Sequence, residues 1–235
     1  MPSFRLLAFV LLIACEAASA GRAADLKMAG ISVPFFDPAG KPTHRLIARE
    51  GRLEGGRQHL QGIEVVYFSA ADPAVVVQRV TAAEAQWNAA DKILSGSGAI
   101  AVATEENQLT GSGFDFALAT SQLRIHRDFT MANREVRLTS DRATIDLVVD
   151  HADNLMKFRD VRRCEAAGQL QVQIQPGARK KYPFESATSD LAIYAGETRI
   201  ITFPHETRIL AQGTTGTFRH MEVDLKPSAA PPVTK

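Results

Sequence analysis

The sequence predicts an all-β protein. Three observations predict it: short runs of β-branched and aromatic residues set between turn residues, the near absence of a sustained 3.6-residue apolar period, and an internal repeat of hairpin size. The runs fall at residues 63–68, 99–102, 171–174 and 199–203, are bounded by Gly, Asn or Asp, and in several places alternate apolar with polar. Alternation of that kind is the signature of a half-buried strand. The best helical candidate, the Ala-rich segment 82–91, has flanks that alternate like strands.

Composition sets outer bounds. The chain has 235 residues, 27 Lys+Arg against 26 Asp+Glu, and an apolar fraction of 45%, an ordinary balance for a folded chain and too apolar for a disordered one. Near-neutral charge argues against nucleic acid as the main partner, because binding phosphates requires a basic excess. Two cysteines, Cys15 and Cys164, supply no disulfide framework.

In chain order, the first element is an export signal over residues 1–20. Arg5 precedes nine apolar residues, 6–14, where a membrane-spanning helix needs roughly 20. A basic start, a short apolar run and small residues make a secretory signal. Ala18-Ser19-Ala20 before Gly21 offers an A-x-A cleavage site, while Leu12-Ile13-Ala14-Cys15 reads as a lipobox that would place a lipid on Cys15. Both processing routes remain open, and both predict export to the periplasm, the second with a lipid anchor. A linker is expected over 21–30, the folded domain over 31–225 and a Pro-containing flexible tail over 226–235.

The domain carries the repeat, an apolar anchor followed by a small residue two positions on and an apolar residue seven on. Leu46, Ala48 and Leu53 form the first unit, then Val80, Ala82 and Trp87, then Leu109, Gly111 and Phe116, then Leu138, Ser140 and Ile145, and finally Phe184, Ser186 and Leu191. Anchors are separated by 34, 29, 29 and 46 residues, and a turn such as Glu54-Gly55-Gly56, Ala89-Ala90-Asp91 or Ala195-Gly196 leads from each unit toward a second strand. Anchor and +7 residue have opposite parity, so a bulge or bend must intervene if both face the core. Hairpins that cannot bury their apolar faces alone would then stack on their neighbours.

Units such as Arg137-Leu138-Thr139-Ser140-Asp141-Arg142-Ala143-Thr144-Ile145-Asp146-Leu147 resemble the OstA-like units of the lipopolysaccharide-transport proteins LptA and LptC. The stretch 35–49 is similar to the LptC opening in particular, with a strand, the turn Asp37-Pro38-Ala39-Gly40-Lys41-Pro42 and then Leu46-Ile47-Ala48. The resemblance spans roughly residues 31–225. It implies an open β-jellyroll, two antiparallel sheets folded into a V, whose greasy interior holds lipid A acyl chains. It also implies edge-to-edge pairing with other jellyroll components of a periplasmic bridge fed by an inner-membrane ABC transporter. Two features depart from the familiar LptC pattern: a cleavable or lipidatable signal replaces the transmembrane helix, and the segment after Asp150 runs longer.

On this resemblance the lipid-groove candidates are Leu46, Leu53, Val80, Trp87, Leu109, Phe114, Phe116, Phe129, Met131, Leu138, Ile145, Phe158, Phe184 and Leu191. From residues alone the same side chains fit the closed core of an exported β-sandwich without a lipid ligand, and that alternative stays open. The exposed sheet edges are expected near 31–36 and 218–225.

No catalytic constellation supports an enzyme. His44, His59, His126, His151, His205 and His220 form no metal-ligand spacing, and Asp150-His151-Ala152-Asp153 reads as a solvated turn. Gly96-Ser97-Gly98 and Gly111-Ser112-Gly113 lack the setting of a hydrolase nucleophile and suit bulges better. Arg179-Lys180-Lys181 is the one compact basic run, a solvated loop or a contact for lipid phosphates. Cys164 has no metal-ligand or redox spacing. The chain has no G-x-x-x-x-G-K-[ST] motif, so directional lipid movement would draw its energy from a separate ATPase. No cofactor and no metal are expected.

Overall fold

The computed structural model describes residues 26–225 except 38, 55, 56, 89, 90, 106, 118, 151–156 and 183. The signal segment with Cys15, His151 and Asp153, the tail, and the side chain of Phe158 lie outside the described residues. Fifteen strands form one antiparallel sheet: β1 (Leu26–Phe36), β2 (Pro42–Glu54), β3 (Arg57–Phe68), β4 (Val76–Asn88), β5 (Ile93–Thr104), β6 (Gln108–Ala117), β7 (Gln122–Ala132), β8 (Val136–Ser140), β9 (Arg142–Asp150), β10 (Lys157–Ile174), β11 (Ser186–Ala195), β12 (Ile200–Phe203), β13 (Thr207–Ala211), β14 (Thr214–Phe218) and β15 (Met221–Asp224). A 3₁₀ turn at Pro176–Lys181 is the one helical element among the described residues. Residues 82–88 of the Ala-rich segment belong to β4, where cross-strand pairing overrides their helical propensity. The expected linker ends earlier than 30, because Leu26 already pairs with Leu53 and Met28 with Gly51.

Each strand from β1 to β7 pairs with the next. β7 then divides its partners, giving residues 122–125 to β9 and 129–132 to β8. β10 spans both on its other side. β1 lies at one edge and β15 at the other, with β14 ending a branch through β13. β1 and β15 are the edges the sequence places, and β14 is a further one.

A line of irregular positions crosses the sheet and divides every long strand in two. Gly30 lies opposite Arg49, which lies opposite Gly62. Pairing breaks between Ala82 and Gln86 of β4, between Gly96 and Ala99 of β5, between Thr110 and Ser112 of β6, and between Ala167 and Leu170 of β10. Several residues on this line have left-handed backbone, among them Gly113 (φ 68°) and Asp128 (φ 56°). Glycine relieves crowding there, since a Cβ on Gly96 would sit 2.5 Å from both the Glu84 carbonyl oxygen and the Phe114 ring. Together these positions make a crease that lets one strand present apolar side chains inward on both sides of it.

Two mainly apolar ladders run parallel to the crease, one in each half of the sheet, the second interrupted by Gln58. On one side Leu46, Val65, Val80, Val102, Leu109, Met131 and Leu138 pair in succession. On the other the succession is Leu53, Gln58, Trp87, Leu94, Phe116, Leu123 and Ile145. The first four sequence units therefore place every anchor in one ladder and every +7 residue in the other. The fifth unit is out of register by three residues. Ala187 and Tyr194 hold the ladder positions of β11, opposite Val172 and Cys164, whereas Phe184 precedes the strand and Leu191 pairs with Ala167.

Candidate functional site

Side chains from both halves of the creased sheet line one cavity of about 520 Å³, within the range of pockets that take small ligands. Val102, Leu109, Met131 and Leu138 come from the first ladder; Leu123, Leu147, Val161, Tyr194 and Ile201 come from the other half. Thr104 at the end of β5, with Glu105, Asn107, Gln108 and Asn133, adds a polar rim. The wall is mostly apolar because inward positions alternate with outward polar ones along every strand.

Of the sequence candidates, Leu109, Met131 and Leu138 line this cavity. Phe114, Phe116, Phe129 and Ile145 instead pack into the core beside the crease, at 2%, 4%, 1% and 0% exposure. Phe184 is buried at 5%, while Leu46, Val80, Leu53, Trp87 and Leu191 are partly buried. The candidates thus divide between the cavity wall and the packed core. Sequence parity reports which face a residue takes, not which inward residues border a cavity, so it does not single out Val102, Leu123, Leu147, Val161, Tyr194 and Ile201.

Beyond the first ladder, toward the strand ends, lies a row that the sequence reading missed: Phe35, His44, Tyr67, Gln78 and Thr104 pair in succession across β1 to β5. Phe35 and His44 stack with ring centroids 4.0 Å apart, and His44 and Tyr67 stack at 5.5 Å. The Thr43 hydroxyl donates to the Phe35 carbonyl at 3.2 Å and lies 3.2 Å from His44 Nδ1. Burial lowers the imidazole pKa to about 4 and raises that of the Tyr67 phenol above its ordinary value, so both are neutral near pH 7.

Gln78 is the exception in the row. Its side chain is 2% exposed and faces the cavity, yet neither its Oε1 nor its Nε2 has a hydrogen-bond partner among the described residues. A buried amide left unpaired costs about 1–3 kcal/mol. A search for alternating apolar residues passes over such a row, since its members come from five strands and meet only through register.

A second, more polar cavity of about 510 Å³ lies along the crease, lined by residues of β3 to β7. It is lined by His59, Glu84, Ser97, Asp115, His126 and Arg127, among others. Glu84 accepts a hydrogen bond from Ser97, and His126 lies 3.0 Å from Asp115. No group of three or more His, Cys, Asp or Glu among the described residues is arranged to hold a metal ion.

The basic run is largely neutralised. Arg179 pairs with Glu185 at 3.0 Å and Lys181 pairs with Glu135, which also accepts a 2.8 Å hydrogen bond from Tyr182. Those partners hold the Glu135 carboxyl below its ordinary pKa. Cys164 is 2% exposed, and burial pushes its thiol up to about 12.

No protein-family model matches the chain, and no curated protein matches it. No helix among the described residues is long and apolar enough to cross a membrane.

Proposed function

We propose that this protein is a non-catalytic, exported lipid carrier of the lipopolysaccharide-transport bridge, related in kind to LptC and LptA. Its creased sheet is read as an open jellyroll whose mouth receives acyl chains. The observation that carries the reading is the mostly apolar cavity lined by residues of both halves of the sheet. A closed sandwich would fill that space with side chains at close-packed density. Removing about 300 Å² of acyl surface from water is worth about 7 kcal/mol at about 25 cal/mol per Å². A trough continuous from one protein to the next would let a lipid advance without meeting that cost.

Free strand edges at β1 and β15 suit such continuity, because strand addition at an edge pairs backbone groups left unpaired within one chain. The partners on this reading are lipopolysaccharide, neighbouring jellyrolls and an inner-membrane ABC transporter. The periplasm is the site of action, reached through the N-terminal signal and, if Cys15 is lipidated, with a membrane anchor. The packed core around Phe129 and Ile145 favours a second reading, a closed sandwich with a structural or adhesive role. Lipid extraction and mass spectrometry of the protein purified from a lipopolysaccharide-producing host separate the two. Stoichiometric acylated lipid supports the carrier, and its absence supports the sandwich.

A further inference from the structure

One residue from the second ladder, His59, Gln86, Ser95 and Asp115 pair in succession across β3 to β6, so they point to the opposite, outer face of the sheet. They line the polar cavity at the crease, where residues 83–85 of β4 and 96–99 of β5 have no partners in register with each other. Two carboxylates are only half used there. Glu84 Oε1 accepts from Ser97 and Asp115 Oδ2 meets His126, while Glu84 Oε2 and Asp115 Oδ1 have no partner among the described residues. The amides of Gln61 and Gln86 and the guanidinium of Arg127 add N–H donors, and Leu60, Ala85 and Phe114 supply the apolar part of the wall.

That set of groups narrows the ligand. An anion would face Glu84 and Asp115, a metal ion finds no group of three His, Cys, Asp or Glu among the described residues arranged to hold it, and a hydrocarbon would leave the polar groups unpaired. A hydroxyl fits, because it gives its proton to a carboxylate oxygen and accepts one from an amide or guanidinium N–H. Several hydroxyls on a ring with apolar C–H faces would use the polar groups and the apolar wall together. We propose that this outer cavity binds a neutral saccharide, at a site that shares no lining residue with the apolar cavity and does not depend on the carrier reading.

The test titrates the full exported chain calorimetrically with lipid-free maltotetraose, chitotetraose and, as a polyanion of similar length, heparin tetrasaccharide. At least one neutral probe should bind tenfold or more tighter than heparin tetrasaccharide, and should slow amide hydrogen exchange within residues 83–86 and 95–98. Glu84→Gln keeps the side-chain shape and the acceptor for Ser97, and should weaken that binding about tenfold through the loss of a charge-assisted hydrogen bond. Absence of binding by both neutral probes, equal or tighter binding of heparin tetrasaccharide, or protection confined to other strands overturns the assignment and leaves the carrier reading intact. Unchanged affinity in folded Glu84→Gln also overturns it. The exchange measurement needs no variant, so it decides the matter even if Glu84→Gln does not fold.

Discussion

Leu138 and Ile145 are seven residues apart, a spacing that sends two side chains to opposite faces of an unbroken strand, yet both point into the same core at 2% and 0% exposure. The crease reconciles them. Asp141 separates β8 from β9, and its backbone N–H donates to the Gly168 carbonyl at 3.0 Å, in the same line of irregularities that crosses the other strands. Repetition of this break builds two inward apolar faces from one sheet.

The packed core and the cavity wall should respond differently to truncation. Ile145→Ala, at a fully buried position, should cost about 2–5 kcal/mol. Met131→Ala, partly exposed on the cavity wall, should cost about 1 kcal/mol. Urea unfolding midpoints measure both. Equal losses would mean that Met131 is as tightly enclosed as the core.

Gly113 at φ 68° occupies a backbone conformation that a Cβ penalises by about 1–2 kcal/mol. Gly113→Ala should therefore lower the melting temperature by about 2–8 °C. An unchanged melting temperature would show that the crease at β6 does not require that conformation.

His44 makes stability depend on pH. Its folded-state pKa, about 4, lies below the ordinary 6.5, so within that window the unfolded chain takes up a proton that the folded chain refuses. This contribution is intact above about 6.5 and is lost as pH falls toward about 4. His44→Phe, which keeps a ring between Phe35 and Tyr67, should flatten the decline in melting temperature between neutral pH and about pH 5. An unaltered slope would assign the decline to other groups.

Cys164 should not react with a thiol reagent in the native protein, because its thiol is enclosed between Ile145 and Tyr194 and its pKa is pushed up to about 12. Reaction should appear only with unfolding, along the same denaturant curve as the loss of strand signal. Rapid labelling without denaturant would show that the second half of the sheet opens locally.

Much of the fold is legible in the sequence because it rests on local pattern. The strands at 63–68 and 171–174, the sheet edges, and the need for a bend between Leu109 and Phe116 all follow from parity and turn residues. The fifth unit misleads because Phe184 and Leu191 are apolar at the right spacing, while the true ladder residue, Ala187, is too small to stand out. Within the site, Leu109, Met131 and Leu138 are legible as inward residues. The row through His44, Tyr67 and Gln78 is not, since strand register brings those polar side chains together and periodicity says nothing about partners on other strands.

The most direct measurement is lipid capture at the cavity wall. A photo-crosslinking residue at Met131, exposed in cells that make lipopolysaccharide, should yield an adduct with an acylated lipid, while one at Arg137, an exposed residue next to Leu138 on the opposite face of β8, should yield none. Folded protein that captures no lipid at Met131, or captures it equally at both positions, would contradict the carrier reading.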